Sequence, residues 1–337
     1  MRVAVLGAGP AGLYFSYVLK RLRPETEIRV FEQNPPDATF GFGVVFSDRA
    51  LEFLREDDPE TCELIAPAME SWSDVTLHHR GESIRIDGVG FSAIGRLALL
   101  RLLQARARSV GIEPRYRCAI GSVAELGEAD LVVGADGVHS LVRRSLEPEL
   151  GASVMHLANR FAWYGTTRVF ETLSQTFVED DLGVFNAHHY RYSPEMSTFI
   201  VETDAATWER AGFARMTEEE SAARCERLFE ATLDGHRLIS NRSVWRTFPR
   251  VRNERWSTGT TVLIGDALHT AHFSIGSGTR LAMEDAIALV KALEAHPRDV
   301  REALGAYEAA RRPIVEKLVA AADASATWYE RFAEHMR

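Results

Sequence analysis

The sequence predicts an α/β fold in which pieces of a parallel sheet from both ends of the chain are interleaved with an antiparallel sheet. Three observations predict it. Residues 2–6 (Arg-Val-Ala-Val-Leu) are short, apolar and end at a glycine cluster, the pattern of a buried parallel strand. Residues 130–135 (DLVVGA) and 261–266 (TVLIGD) repeat that pattern far downstream. Between them, residues 161–202 are rich in aromatic and β-branched residues, which suit an antiparallel sheet.

The elements follow in order. After the first strand, residues 11–22 carry Leu13, Tyr17, Val18 and Leu22 near one helical face. Residues 27–32 read as a second strand, so the opening is a β-α-β unit of the Rossmann type. Residues 75–86 alternate around an Arg-Gly pair and predict a hairpin. Helices are expected at 95–110, 217–233 and 280–295, and at 299–335 with a break near Pro313. The domain expectation is therefore 1–70, 93–150 and 255–300 for one domain. Residues 71–92 and 151–254 form the second, and 301–337 a C-terminal helical segment.

The chain has 337 residues and a formal net charge of −9, which argues against a general nucleic-acid or membrane-surface binder. Cys62, Cys118 and Cys225 are far apart and odd in number, so a disulfide framework is not expected and a reducing cytoplasm fits. No apolar run approaches the ~20 residues of a membrane span. The N-terminus reads as a strand and not as a signal peptide. No metal site is expected: His269 and His272 lack a carboxylate–cysteine cluster.

Gly7-Ala8-Gly9-Pro10-Ala11-Gly12 follows a strand and opens a helix. In that context Gly7 permits the turn, Gly9 admits a pyrophosphate and Gly12 allows close packing. The helix start offers N–H groups and a positive dipole end. Glu32, next to Gln33, ends the second strand and can accept from ribose hydroxyls. The motif alone does not separate FAD from NAD. Ala135-Asp136-Gly137 and Gly265-Asp266 each end a further apolar strand. Ligands in open α/β sheets gather at the carboxyl ends of strands, so the three strand ends are expected to share one cleft. Asp266 could hold the hydroxyls of a ribityl chain. Ser274, Gly276, Ser277, Gly278 and Thr279 precede a helix and supply backbone donors. A glycine loop that binds nothing is the alternative there.

These three motifs, in this order, resemble the single-component FAD aromatic hydroxylases of the para-hydroxybenzoate hydroxylase type. The stretches TFGFGVVFSD (39–48), STFIVET (197–203), GHRLISNRSVWRTFP (235–249) and HTAHFSIGSGTRLAMEDAIAL (269–289) resemble a narrower group. That group holds salicylyl-CoA 5-hydroxylase and the flavin domain of 2-aminobenzoyl-CoA monooxygenase. WYGT (163–166) and HFSIG (272–276) also resemble the violacein-pathway hydroxylase. The resemblance implies an FAD-binding domain, NADH or NADPH as co-substrate and O2 as oxidant. It implies hydroxylation of an activated ring through a C4a-hydroperoxyflavin, with an aryl-CoA such as salicylyl-CoA as substrate. A free aromatic or an indole-type pigment precursor is the alternative substrate. A flavin-binding redox sensor without turnover is the alternative class. Relatives are expected to run on past Trp328, which reads this sequence as a shortened form or one lacking a C-terminal segment. A monomer or homodimer is expected, with no nucleic-acid or membrane partner.

The resemblance also places Phe42, Gly43 and Val44 in a flavin-side loop and Arg96 at the flavin or its phosphates; a structural turn and a surface arginine are the alternatives. His188, Tyr190 and Tyr192 are the catalytic candidates, with alternation putting two of them on one sheet face to bind or deprotonate a substrate hydroxyl. Ordinary sheet residues are the competing reading. Trp163, Phe177 and Phe199 read as core before substrate wall. Thioester phosphates would need cations, and Arg160, Arg168, Arg242, Arg246, Arg250 and Arg252 are available.

Overall fold

The computed structural model describes residues 1–47 and 51–336. Asp48, the last residue of the 39–48 stretch, lies outside the described residues. The chain forms two compact units, each assembled from separated segments. The first comprises residues 1–38, 99–155 and 249–324, and the second residues 39–98, 156–248 and 325–337.

The first unit is built on a five-stranded sheet. Its strand order is Ser257–Thr258, Thr261–Leu263, Leu131–Gly134, Arg2–Leu6 and Glu27–Phe31. All neighbours are parallel except the short Ser257–Thr258 edge. Four of the five residues of Arg2–Leu6 are buried, which is why the strand reads as a continuous apolar run. The register aligns Leu6 with both Phe31 and Gly134, and Gly134 with Leu263. Three Gly- or acid-bearing turns therefore leave the sheet from one level.

Helix Pro10–Leu22 is buried continuously from Ala11 to Leu19, whereas the sequence predicts a one-sided helix ending on Leu22, which is exposed. It lies between the sheet and helix Gly278–Ala295, so both of its faces are covered. The break expected near Pro313 is absent: helix Val300–Glu330 runs through it, and a four-residue helix Phe332–His335 follows. Pro313 is exposed, as is Ala309, whose carbonyl finds no helical N–H donor at the proline. Tyr307, Arg311, Val315 and Val319 stay buried on both sides of the proline, and that packing carries the helix through. The helix expected over 217–233 is interrupted at Phe229, giving Glu218–Leu228 and Glu230–Leu233.

The second unit holds a seven-stranded sheet. Its order is Leu238–Ile239, Arg160–Thr166, Met196–Thr203, Gly183–Ser193, Leu173–Asp180, Val75–His79 and Glu82–Ile86. The pairing is antiparallel save for Leu173–Asp180 beside Val75–His79. One face packs Tyr164, Phe185, Phe199 and Val201 against Phe213, Cys225 and Phe229. The opposite face carries Trp163, Gly165, His188, Tyr190 and Thr198 by alternation. A three-stranded sheet of Gly43–Ser47, Phe91–Gly95 and Glu70–Trp72 completes the unit. Tyr190 packs with its Trp72 and Ala93.

Among the described residues no helix is long and apolar enough to cross a membrane. No group of three or more His, Cys, Asp or Glu side chains among them is arranged to hold a metal ion.

Candidate active site

The glycines of the first motif divide by what surrounds them. Gly7 has φ +103°, and a Cβ there would collide with the Ala135 carbonyl. One at Gly12 would collide with the Gly7 carbonyl and lie 3.2 Å from Ala135 Cβ. Both glycines are demanded by the fold itself. A Cβ at Gly9 would meet nothing within 4 Å. Gly9 is the N-cap of helix Pro10–Leu22, and no side chain caps that helix. Its first turn, with Pro10 contributing no N–H, presents the amides of Ala11 and Gly12 beside open space. Such a cradle is what a dinucleotide pyrophosphate requires.

Glu32 closes one side. Its carboxylate accepts from Ala8 N (2.9 Å), Asn34 N (2.8 Å) and Asn34 Nδ2 (2.8 Å). A carboxylate has about four acceptor positions, so capacity for a hydroxyl donor is left. Gln33 is exposed.

Asp136 is tied to its own loop. Its carboxylate accepts from Ser140 Oγ (2.5 Å), Leu141 N (2.6 Å) and Val142 N (3.3 Å). Burial pushes the Asp136 carboxyl up, against the pull of those bonds. The side chain staples its own loop to the start of helix Leu141–Ser145 and shapes the Ala135–Gly137 backbone. Arg143, buried, extends the clamp by donating to Ala267 O (2.9 Å) and to Val138 O. One guanidinium thus ties the Asp136–Gly137 loop to the Gly265–Ala267 turn.

At that turn Gly265 has φ +60°, and a Cβ would lie 3.1 Å from Ala11 Cβ and 3.2 Å from Ala282 Cβ. The starts of helices Pro10–Leu22 and Gly278–Ala295 therefore meet at this glycine, and neither has a side-chain cap. Asp266 is exposed inside an otherwise buried run from Val262 to His272. Ser274 is paired with His272 (Oγ to Nδ1, 2.9 Å), and Ser277 Oγ donates to Ile275 O (3.2 Å). Gly276 takes the left-handed conformation, and a Cβ on Gly278 would meet open space beside Thr279.

Behind the turn lies a buried ionic network that motif reading missed. Asp285, fully buried, accepts from Gly265 N (3.0 Å), His269 Nε2 (2.9 Å) and Arg311 Nε (2.9 Å). Arg311 also pairs with Glu284 (2.6 Å). Burial pushes the Asp285 carboxyl up, but the charges and hydrogen bonds of His269 and Arg311 more than reverse this and hold it below the usual range. The signal was present in the sequence. Asp285 sits four residues from Leu281 and Leu289, and Arg311 four from Tyr307 and Val315, so each charge falls on a buried stripe.

In the second unit the segment Thr39–Gly43 is pinned at several points. Gly43 N donates to Thr198 Oγ1 (2.9 Å), Tyr190 Oη donates to Gly43 O (3.2 Å), and Arg96 N donates to Phe42 O (2.8 Å). Asn241 Nδ2 donates to Thr39 O (3.2 Å) and Gly41 O (3.1 Å). Phe42 lies against Gly165, where a Cβ would meet its ring. The Arg96 guanidinium stands 4.8 Å from the Trp163 ring centroid. Val44 is buried within its strand. Trp163 is half-buried on this face, whereas Phe199 is core as expected and Phe177 packs against Phe332.

The sequence expects two of the three catalytic candidates on one face; His188 and Tyr190 share it by alternation, and Tyr192, at the bulge between Arg191 and Ser193, packs beside Tyr190 against Trp72 and Ala93. Their surroundings separate them. His188 Nε2 is buried between Glu202 Oε2 (3.2 Å) and Asn186 Nδ2 (3.1 Å), under the Tyr329 ring. Burial pushes the Tyr190 phenol up to about 12, and its hydroxyl serves the Gly43 carbonyl. Both are engaged by partners within the fold. Tyr192 is half-buried over the Gly43–Gly95 pair.

The sequence model of the FAD binding domain matches residues 102–322. The chain belongs to this FAD-binding family. It is 45% identical over 347 residues to salicyloyl-CoA 5-hydroxylase of a Streptomyces species, covering 100% of this chain and 67% of that protein. It is 39% identical over 332 residues to 3-hydroxy-4-methyl-anthranilyl-[aryl-carrier protein] 5-monooxygenase of Streptosporangium sibiricum, covering 98% and 90%. To protodeoxyviolaceinate monooxygenase of Chromobacterium violaceum the identity is 37%, covering 100% and 91%. The crystal structure of 2-methyl-3-hydroxypyridine-5-carboxylic acid oxygenase shares the fold, with a TM-score of 0.79 at 20% identity over 98% of this chain and 92% of that one. The protein is thus an FAD-dependent monooxygenase, and the open Gly9 cradle with its uncapped helix start fits that cofactor.

Proposed function

We propose that this monooxygenase uses NADH or NADPH and O2 to hydroxylate an aromatic ring carried as an acyl thioester. The proposed substrate is salicyloyl-CoA, hydroxylated at carbon 5 to gentisyl-CoA. The observation that carries the reading is 45% identity along the whole chain to a protein named for that substrate. The relative at 39% is named for the same ring position on an anthranilyl group held by a carrier protein. Carbon 5 is para to the 2-hydroxyl of a salicyloyl ring or the 2-amino group of an anthranilyl ring. The lone pair there raises electron density at the carbon attacked.

In this reading Ala11 and Gly12 N–H and the space over Gly9 receive the FAD pyrophosphate, with Glu32 taking a ribose hydroxyl and Asp266 the ribityl chain. Backbone N–H groups of residues 276–279 stabilise charge on the flavin ring. Bound FAD, reduced by the nicotinamide, supplies the electrophilic oxygen atom derived from O2. The second unit orients the ring and excludes water, with Trp163, Tyr192 and the Arg96 guanidinium over Trp163 as its wall. His188 and Tyr190 hold the sheet face in shape.

The test is a panel of turnover assays with NADH under air. Salicyloyl-CoA is expected to give gentisyl-CoA with a kcat/KM at least about tenfold above those of free salicylate and of indoles, a margin of ~1.4 kcal/mol in transition-state binding. NADH oxidation that yields only H2O2 with salicyloyl-CoA would refute the substrate. A preference for free indolic acids would favour the pigment-precursor reading that the 37% relative supports.

A further inference from the structure

We propose that Arg242 and Arg246 form a phosphate-binding rim for the phosphopantetheine end of the acyl carrier, an inference that rests on the thioester reading above. Six arginines are candidates from sequence, and the structure divides them. Arg250 and Arg252 both pair with Asp323, at 2.6 and 2.9 Å. Arg168 lies 3.4 Å from Asp234, and the Arg160 guanidinium sits 5.2 Å from the Trp208 ring centroid. Arg242 and Arg246 are exposed, and among the described residues neither has a carboxylate within ion-pairing distance. The two neighbouring guanidiniums therefore carry uncompensated charge in a chain of net charge −9.

The pair is built into the fold. Arg246 exchanges backbone hydrogen bonds with Phe161 (2.9 Å each way), and its Nη2 donates to Arg242 O (3.2 Å). The second guanidinium is thereby held against the backbone that carries the first. Arg242 has φ +57°, a conformation that favours glycine or asparagine over arginine. It sets the guanidinium 5.5 Å from the centroid of Phe40, an exposed ring. Between them, Asn241 fastens this loop to Thr39 and Gly41. Glu218 accepts from Ser243 N (2.8 Å) on the same loop and does not reach either cation.

Two guanidiniums present forked donors that match phosphate oxygens. A guanidinium over an exposed phenyl ring adds a flat cationic plate on which a nucleobase can stack. Coenzyme A and an acyl carrier protein both hold the acyl group through the same phosphopantetheine arm. That arm separates phosphate from thioester, so a rim that grips phosphate leaves the ring free to enter the pinned sheet face. The rim acts on substrate binding and not on the reacting atoms.

The test crosses a variant with a truncated substrate. Arg242→Gly suits the backbone angle, and combined with Arg246→Gln it removes both charges without disturbing buried groups. Steady-state KM is measured for salicyloyl-CoA, salicyloyl-4′-phosphopantetheine and salicyloyl-pantetheine, which has no phosphate. The double variant is expected to raise KM for salicyloyl-CoA on the order of 10- to 100-fold, and for salicyloyl-pantetheine by less than about twofold. If the phosphopantetheine ester follows the CoA ester, the rim reads the phosphate common to CoA and carrier proteins, as proposed; if it follows the pantetheine ester, the arginines read only the nucleotide end of CoA and the proposal is overturned. Equal changes for all three esters, or none, would overturn the proposal. Should the wild-type protein oxygenate none of the three yet oxygenate free aromatic acids, the thioester reading fails first, a result visible before any variant is made.

Discussion

Replacing Gly9 by aspartate should separate the demands of the ligand from those of the fold. Gly9 has φ −77° and ψ −175°, which any L-residue adopts, and a Cβ there meets nothing within 4 Å. As N-cap residue an aspartate is favoured, and its charge at the positive end of helix Pro10–Leu22 is worth ~0.3–1 kcal/mol. The flavin-free protein should therefore melt at or slightly above the wild-type temperature. For a dinucleotide the sign reverses. The carboxylate takes the first-turn amides and stands beside the pyrophosphate. At ~5 Å and an effective dielectric of ~20 two unit charges repel by ~3 kcal/mol, on the order of 100-fold in Kd. Isothermal titration of flavin-free protein with FAD, beside a melt without FAD, reads both quantities. Gly12→Asp is the contrast: its side chain must displace the Gly7 carbonyl and Ala135, at a cost of ~1–3 kcal/mol or more before any ligand is added. FAD binding by Gly9→Asp within about threefold of wild type would refute the reasoning.

Three further outcomes follow, two of them from buried groups. Asp285→Asn removes a charge that holds Gly265, His269 and Arg311 and should cost ~3 kcal/mol; with an unfolding entropy of about 0.7 kcal/mol per kelvin for 337 residues, the melting temperature falls by ~4 °C. Because the folded Asp285 carboxyl lies below its unfolded value of about 3.9, its stabilisation is present above pH ~4 and lost as pH falls through the folded value. The gap between variant and wild type should narrow toward pH 3, and a constant gap from pH 7 to pH 3 would contradict the assignment. Tyr190→Phe should cost ~1 kcal/mol by orphaning Gly43 O, and should leave the activity profile between pH ~7 and ~9 in place, since the phenol is pushed up to about 12; a shifted alkaline limb would show that it titrates in turnover. Pro313→Ala in the exposed face of helix Val300–Glu330 should stabilise by ~1–3 kcal/mol, read as a raised melting temperature, and a lowered one would mean that the helix depends on its proline.

What was legible in the sequence was local. The strand, glycine cluster and helix at residues 2–22 announce themselves because each requirement falls on neighbouring residues. The two later strand ends were legible for the same reason, and pairing of Leu6 with Gly134 and Gly134 with Leu263 brings all three to one level. The destination of a side chain was not legible. Asp136 occupies a motif position, yet its carboxylate accepts from Ser140, Leu141 and Val142 of its own loop. His188 has a catalytic residue type but is enclosed with Glu202 and Asn186. Asp285 and Arg311 were hidden because each looks ordinary on its own helix, and only the pairing of two helices explains a buried charge on both. Pro313 misled because a local rule for helix ends was overridden by packing distributed over the turns on either side.

Oxygen-isotope incorporation tests the central claim most directly. The FAD-loaded protein is given salicyloyl-CoA and NADH under oxygen-18 gas, and the product is analysed by mass spectrometry and by position on the ring. One labelled oxygen at carbon 5 for each NADH consumed is the result expected. Unlabelled thioester recovered beside an equivalent of H2O2 would contradict it.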